Sequence, residues 1–200
     1  MKTTILLILL LLLCLIQQSV QQKGKYIVKK DLFDFQHSEF SVYDYQTRKR
    51  LLYRIETKFG RSHNASIVQM SASNEEKNKI IVGKIRGQPQ VFNKYNGEFK
   101  ILDIDSGKWK VGTIKQKGTF FSSLIYDINY GGLRVTMEEK WNDLTMKYIA
   151  NNRTYATYRR HLFFNLNTYD LNIYNDELPV TFYLIGLAVV ERKPSMAKGR

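Results

Sequence analysis

The chain has 200 residues, 44% of them hydrophobic, and carries a formal net charge of +13 at pH 7. This length and composition predict one domain with a substantial core. The single cysteine, Cys14, excludes disulfide-rich scaffolds; it also excludes thiol enzymes and cysteine-ligated zinc sites if the segment that carries it is cleaved.

The first twenty residues have the layout of a secretory signal peptide. Lys2 precedes an apolar run, Ile5 to Ile16, and polar residues follow it. Because the run is short for a transmembrane anchor, we predict a signal peptide at 1–20 and a single domain at 21–200, with an uncleaved anchor as the alternative. The protein is therefore expected to be secreted or to reside in the lumen of the secretory pathway.

The positive charge remains when that segment is removed. Without Lys2 the chain keeps 30 basic against 18 acidic side chains, a net charge of +12. Such a charge favours association with anionic lipid head groups, sulfated glycans or nucleic acid. A secreted destination disfavours nucleic acid, so anionic membrane lipids and sulfated glycans are the predicted partners. The alternative is a scattered surface charge that gives only solubility.

Short alternating segments dominate the chain between Lys25 and Tyr174. In 40–45, 133–138 and 169–174, side chains that suit a core alternate with side chains that suit a surface. This period of two, rich in aromatic and β-branched residues, is typical of strands separated by polar turns. The body of the chain is therefore predicted to be mostly antiparallel sheet.

Three of these segments share a weak internal repeat of strand, aspartate, turn and strand. Its aspartates are Asp44, Asp103 and Asp127, each expected just ahead of a turn. A short carboxylate in that position accepts hydrogen bonds from the backbone amides that follow. The repeat therefore predicts successive hairpins of one sheet system.

The segment Leu178–Val190 is apolar on every side. It is shorter than the about 20 residues that cross a bilayer, which favours a buried core element. Asp176 is a candidate N-cap and Pro179 fits a first helical turn, so we predict a helix at about 176–191. Its β-branched residues leave a buried strand as the alternative. In either case the segment needs protein all around it.

A closed antiparallel β-barrel around a buried hydrophobic C-terminal α-helix satisfies both requirements. Closure removes the sheet edges, and the barrel interior encloses the helix. The alternative is a sandwich or lipocalin-like barrel with the last segment packed outside. Such a barrel would carry an apolar small ligand in its cavity.

Three short motifs occur in a definite order along the chain. Phe40-Ser-Val-Tyr-Asp-Tyr and Leu52-Tyr-Arg-Ile-Glu stand near the start, and Tyr169-Asp-Leu-Asn-Ile-Tyr-Asn-Asp-Glu runs into Leu178–Val190. In this order they resemble the tubby C-terminal-like superfamily, in particular its LURP-one-related and phospholipid scramblase-like branch. The resemblance covers nearly all of the chain after about Tyr26.

The resemblance implies a barrel around a buried C-terminal helix and, for most members, no established enzymatic activity. Tubby proteins bind phosphoinositides through basic barrel residues, and scramblase-like members are linked to membranes and calcium. This chain matches neither a phosphoinositide-binding motif nor a scramblase calcium loop. Its signal peptide also departs from familiar relatives, which face the cytosol.

Basic residues are the most informative functional feature of the predicted strands and turns. Lys84 and Arg86 share one strand face, and Lys108 and Lys110 share the face opposite Trp109 and Val111. If such groups converge, each contributes about 1 kcal/mol to attraction by an anionic membrane. If they scatter, they give solubility and protect sheet edges. The candidate anion-binding residues are Arg48, Lys49, Arg50, Lys84, Arg86, Lys108 and Lys110.

No pattern typical of catalysis or metal binding is present. The three histidines are far apart, nucleophile-elbow and phosphate-loop motifs are absent, and Asp103–Gly107 fits a hairpin turn better than a calcium loop. We predict no cofactor, no metal and no enzymatic activity, with a hydrolase built from dispersed carboxylates as an alternative. Asn64 and Asn152 begin sequons and are candidate glycosylation sites. The predicted function is non-enzymatic binding of anionic lipid or glycan surfaces.

Overall fold

The computed structural model describes residues 22–31, 37–59, 62–71, 79–88, 94–117, 123–140, 144–161 and 167–190. The predicted signal peptide at 1–20 lies outside these residues. The strands are β1 (Gly24–Asp31), β2 (His37–Asp44), β3 (Leu51–Phe59), β4 (His63–Gln69), β5 (Ile80–Gly87), β6 (Asn96–Asp103), β7 (Lys108–Gln116), β8 (Ser123–Tyr130), β9 (Leu133–Lys140), β10 (Thr145–Ala150), β11 (Arg153–Arg160) and β12 (Thr168–Ile173), and the helix is α1 (Val180–Val190).

The strands form a closed barrel in which each strand pairs with its neighbours in sequence. β12 returns to pair antiparallel with β1, with Tyr169 opposite Val28. Because successive strands run in opposite directions, every second connection lies at the same end. We call the end where β12 stops and α1 begins the near end, and the other the far end. The closed antiparallel barrel predicted from the sequence is confirmed.

Alternation along the strands decides which side chains face the interior. In β6, Phe99 and Ile101 are buried whereas Glu98 and Lys100 are exposed. The same period of two runs along β12, where Leu171 is buried. Apolar side chains from the strands therefore line the barrel, and the charged ones cover its outer wall.

The turn aspartates follow the predicted repeat at two of three positions. Asp44 Oδ1 accepts the Thr47 N–H at 2.8 Å, and Asp103 Oδ1 accepts the Ser106 N–H at 3.3 Å. The prediction for Asp127 is wrong, because this residue lies inside β8 and its turn comes later, at 131–132. Two glycines with φ of +58° and +83° make that turn without an aspartate.

The apolar C-terminal segment is a helix enclosed by the barrel. All residues from Thr181 to Val189 are buried. A Cβ on Gly83 of β5 would lie 2.8 Å from Thr181 Cγ2, and one on Gly186 would overlap the Tyr148 hydroxyl of β10. Strands on opposite sides of the barrel thus contact the same helix. The predicted buried C-terminal helix is confirmed.

The helix begins at Val180, later than the predicted residue 176. The Asn175 side-chain oxygen accepts the Glu177 N–H at 2.7 Å, which holds this stretch in a turn. The first helical turn is closed by Pro179, whose carbonyl accepts the Phe182 N–H at 2.9 Å. The N-cap role expected for Asp176 is therefore wrong; this carboxylate lies 3.9 Å from Lys23 Nζ instead.

Tyrosines join the helix to the barrel wall. The Tyr148 hydroxyl, fully enclosed, donates to the Tyr183 carbonyl at 2.9 Å, and the Tyr183 hydroxyl donates to the Asn175 carbonyl at 3.2 Å. Burial raises the pKa of Tyr148 and that of Tyr183 far above the ordinary value. These phenols therefore stay neutral and act as hydrogen-bond donors inside the barrel. Within the described residues, no helix is both long enough and apolar enough to span a bilayer.

Candidate functional site

The structure places the seven predicted basic residues in three locations. Arg48, Lys49 and Arg50 lie in the turn between β2 and β3, and Lys108 and Lys110 begin β7; both groups are at the near end. The remaining pair, Lys84 and Arg86, lies on the outer wall in β5. The seven residues therefore do not share one face, and each location has its own surroundings.

The pair on β5 continues onto the neighbouring strand. Lys84 lies directly opposite Lys100 of β6, and Arg86 lies opposite Glu98. All four side chains are exposed, because Ile85 and its neighbours on the other face turn into the core. Sequence reasoning missed Lys100. Its alternation with buried Phe99 was visible, but its position beside Lys84 depends on the register between strands.

Two apolar side chains complete this surface on β7. Val111 lies opposite Lys100 and is 53% exposed, and Trp109 is 40% exposed. The Lys84 ammonium lies 5.4 Å from the centroid of the Trp109 ring, within range of a cation–π contact. We call this surface the β5–β7 wall; it consists of Lys84, Arg86, Lys100, Trp109 and Val111.

Lys110 belongs to a different environment, at the mouth of the barrel. Lys110 lies on the same face of β7 as buried Ile114. Trp109 and Val111 lie on the opposite, outer face, as predicted from the sequence. The Lys110 ammonium lies 2.8 Å from Asp103 Oδ2. The hydrogen bond from Lys110, followed by the Ser106 N–H, lowers the pKa of Asp103, and Asp103 in turn raises the pKa of Lys110. An acidic neighbour therefore already engages this cation.

The β2–β3 turn carries a second group of cations beside an aromatic ring. Lys25 Nζ lies 3.7 Å from the centroid of the Tyr45 ring, and the Arg48 guanidinium carbon lies 5.6 Å from it. A hydrogen bond and the positive charge of Lys25 lower the pKa of Tyr45. Arg48 adopts a φ of +54° at the tip of this exposed turn. The sequence identified Arg48 but not Lys25, which comes from β1.

The local electrostatics single out the β5–β7 wall. Like charges directly opposite each other on adjacent strands destabilise a sheet. Lys84 and Lys100 stand in this relation, and the Lys84 ammonium faces the Trp109 ring. An anion placed over the pair would relieve the repulsion. The wall is therefore suited to anion binding, and Glu98 limits the positive charge only beside Arg86.

The described residues of the barrel interior enclose a small cavity beside the helix. At the far end, a cavity of about 20 Å³ is lined by Met146, Tyr158, Leu187 and neighbouring side chains. This is room for about one water molecule. The carrier alternative requires the C-terminal segment to lie outside a hollow barrel, whereas α1 occupies that interior.

The histidines have separate structural contacts. His63 Nδ1 lies 2.9 Å from the buried Tyr95 hydroxyl, and His161 Nε2 lies 3.1 Å from Asp170 Oδ2. Across the described ranges, no three His, Cys, Asp or Glu side chains are close enough together to hold a metal ion.

Both sequon asparagines are exposed. Asn64 lies on the outer face of β4, opposite Arg86, and its amide donates to Ser62 Oγ at 2.9 Å. Asn152 lies in the β10–β11 turn with a φ of +58°. Their use as glycosylation sites stays a prediction.

Comparison with protein families identifies the relationship. The family model described as LURP-one-related matches residues 25–190. The chain belongs to the LURP-one-related family. This family is part of the tubby-like superfamily, so the resemblance drawn from the order of the motifs is confirmed. LURP-one-related and tubby-like proteins are generally non-enzymatic, and membership indicates a lipid-binding type of protein. Comparisons with curated proteins and with solved structures gave no match.

Proposed function

We propose that this LURP-one-related protein is a non-enzymatic protein that binds anionic phospholipid surfaces through the β5–β7 wall. The observation that carries the proposal is the direct opposition of Lys84 and Lys100 on adjacent exposed strands. Family membership supports lipid as the ligand class. The net charge of +13 supports an anionic surface.

The strength of the attraction follows from the number of cations on the wall. Each Lys or Arg near an anionic membrane contributes about 1 kcal/mol, so Lys84, Arg86 and Lys100 together supply about 3 kcal/mol. Exposed charges are screened over about 8 Å at physiological ionic strength. Binding is therefore expected to weaken steeply as salt is added.

The exposed apolar residues on the same wall favour lipid over sulfated glycan. A glycan contacts cations and hydrogen-bond donors, whereas Trp109 and Val111 offer a ring and an aliphatic side chain. A Trp ring beside a Lys ammonium matches the layered chemistry of a membrane surface, where anionic groups lie above hydrocarbon. We therefore take phospholipid as the ligand and sulfated glycan as an outcome to be tested.

Vesicle sedimentation tests the proposal. The chain without residues 1–20 should co-sediment with phosphatidylcholine vesicles that contain phosphatidylserine, and not with phosphatidylcholine alone. Lys84→Gln combined with Lys100→Gln should weaken binding about tenfold or more, since it removes two cations worth about 1 kcal/mol each. The matched control combines Lys147→Gln with Arg159→Gln, which removes the same charge from β10 and β11 across the barrel.

Three results would contradict the proposal. Absence of binding at low salt would exclude an anionic lipid surface. Equal losses in the two double variants would show that net charge, and not the β5–β7 wall, controls binding. Binding to heparin, but not to phosphatidylserine vesicles, would show that the ligand is a sulfated glycan and not a phospholipid.

The secretory location is part of the proposal and rests on residues 1–20. Expression of the full chain in eukaryotic cells should yield a product that lacks this segment and carries a glycan at Asn152, in an exposed turn. Asn152→Gln should then reduce the mobility shift produced by glycosidase treatment, and Asn64→Gln combined with Asn152→Gln should remove it. A glycan at Asn64 would stand beside Arg86 and cover part of the wall. An unprocessed chain without a glycan would contradict the secretory location without affecting lipid binding, whereas an unprocessed chain that carries a glycan would indicate the uncleaved anchor.

A further inference from the structure

Exposed apolar side chains are concentrated at one end of the barrel. Among the described residues, six large hydrophobic side chains are exposed, and five of them lie at the near end of β5, β6 and β7. The sixth, Leu144, lies at the far end, just before β10. The five are Ile80 (54% exposed), Ile81 (42%), Ile104 (61%), Trp109 (40%) and Val111 (53%).

The topology brings these five residues to one place. β5 begins at Ile80, β6 ends just before Ile104, and β7 begins at Lys108, so the first three lie at the same end of adjacent strands. Trp109 and Val111 follow at alternate positions on the outer face of β7. We call Ile80, Ile81, Ile104, Trp109 and Val111 the apolar rim.

The barrel itself does not explain the apolar rim. α1 and the inward side chains already fill the interior, so these residues add little to the core. An exposed apolar cluster bordered by polar residues marks an interaction surface. Two of the five residues, Trp109 and Val111, also belong to the β5–β7 wall.

Charge complementarity indicates what covers the rim. Cations border it on the strands and turn that carry it: Lys84 and Lys100 on the wall and Lys108 after the turn. Long basic side chains beside apolar ones match a bilayer, because their ammonium groups reach phosphates while their stems and neighbours enter the interface. A protein partner would need acidic groups and apolar groups in one fixed arrangement, whereas an anionic bilayer presents both everywhere.

We propose that the apolar rim inserts into the interfacial layer of an anionic bilayer and so fixes the orientation of the barrel on the membrane. The inference rests on the lipid binding proposed above and adds a mode of docking to it. The near end of β5–β7 enters the interfacial layer, and the wall cations Lys84, Lys100 and Arg86 lie along the head groups. Insertion is shallow, because Asp105 lies beside Ile104 in the same turn and must stay at the level of the head groups.

Trp109 is a built-in reporter of insertion. The chain has two tryptophans, so Trp141→Phe leaves Trp109 as the single fluorophore. When vesicles containing phosphatidylserine bind, its emission should shift to shorter wavelength. Phospholipids brominated at shallow acyl positions should quench it more strongly than those brominated near the bilayer centre. Sedimentation of the same samples reports binding independently of depth.

Matched serine variants measure the contribution of the rim. Ile104→Ser combined with Val111→Ser should weaken binding by about tenfold to a hundredfold, because two apolar side chains leave the interface. This loss should persist at high salt, unlike the loss caused by removing lysines. Leu144→Ser, which changes an exposed apolar residue at the other end, should bind like the parent chain. Melting curves of all variants check that each one folds, above all Leu144→Ser, because Leu144 is only 37% exposed and lines the far-end cavity.

The outcomes separate this inference from the proposed function. Binding without quenching, together with unchanged affinity in the Ile104 and Val111 variant, would overturn insertion and leave electrostatic adsorption in place. Equal effects of Leu144→Ser and the rim variants would also overturn it. Absence of binding to anionic vesicles at low salt would refute the proposed function, and insertion with it.

Discussion

The inside and the outside of the same strands follow different rules. On the inner face of β5, Gly83 has no side chain because Thr181 of α1 occupies the space. On the outer face of the same strand, Lys84 stands opposite another lysine and beside an exposed tryptophan. The inner arrangement is explained by packing. Like charges in this arrangement are expected to cost stability, and the proposed lipid binding supplies a physical reason for them.

The largest test of this comparison removes a ring from the interior. Phe182 of α1 is 1% exposed, and its ring contacts those of Phe99, Tyr130 and Tyr148 at centroid distances of 5.6–6.2 Å. Phe182→Ala should lower the free energy of unfolding by about 3–5 kcal/mol, as buried aromatic truncations do. Chemical denaturation followed by circular dichroism measures the loss. Val180→Ala, at the half-buried start of the same helix, should cost much less; equal losses would mean that α1 is not enclosed.

A side chain at Gly186 should cause the next largest loss in the free energy of unfolding, because the site is crowded. A Cβ there would overlap the Tyr148 hydroxyl and lie 2.7 Å from Met137 Sδ, so Gly186→Ala should cost about 1–3 kcal/mol. Tyr148→Phe removes the overlapping atom, so the double variant should lose less than the two single losses together.

Gly131→Ala is the control for this cycle. A Cβ at Gly131 would meet no atom within 4 Å, and its cost comes from the positive φ alone. Its effect should therefore add to that of Tyr148→Phe. Additivity at Gly186 as well would show that the helix does not press against β10.

The interior was predictable because its signals are local. Strand alternation and the apolar character of Leu178–Val190 can each be recognised from a few consecutive residues. A closed barrel is the arrangement that buries both the apolar faces of the strands and the apolar segment. The start of the helix was less predictable. Asp176 suits an N-cap by residue type, but the side chain of Asn175 forms a competing turn first.

Only part of the β5–β7 wall could be predicted, because the register between two strands depends on residues that are distant in sequence. Lys84 and Arg86 were visible as alternate residues on one strand, whereas Lys100 joins them through the pairing of β5 with β6. The apolar rim depends on the same information. Ile104 and Trp109 belong to one hairpin, whereas Ile80 and Ile81 reach the same end only through the pairing of β5 with β6.

A smaller effect, of opposite sign, should appear on the outer wall. Lys100→Gln removes the like charge opposite Lys84, so it should raise the free energy of unfolding by about 0.2–1 kcal/mol at low salt. The gain should fade at about 1 M salt, where screening acts over about 3 Å. Lys110→Gln should instead destabilise the protein, because it removes the partner of Asp103. A loss of stability in Lys100→Gln would show that this lysine supports the fold.

The smallest expected effect is the contribution of Asp103, at the β6–β7 turn, to the dependence of stability on pH. The hydrogen bond from Lys110, and then the Ser106 N–H, lower the pKa of Asp103 in the folded protein, whereas an unfolded aspartate has a pKa of about 3.9. A lowered folded pKa means that the contribution of Asp103 is fully present above about pH 4 and is lost as the pH falls through the folded value. Asp103→Asn should therefore be less stable than the parent chain at pH 7, and the difference should shrink as the pH falls below about 4. Denaturation at a series of pH values measures it.

Asp105 provides the control within the same turn, since it accepts neither of those two hydrogen bonds. Asp105→Asn therefore removes a carboxylate from the same turn without removing those hydrogen bonds, and it serves as the matched control for net charge. A parallel change in the two variants would assign the effect to net charge, because both remove one carboxylate. If only Asp103→Asn flattens the profile, the Asp103–Lys110 pair stabilises the turn. The pH profile would then show that a carboxylate neutralises the cation at the mouth of the barrel, where Lys110 meets Asp103, whereas on the wall Lys84 lies opposite a second lysine.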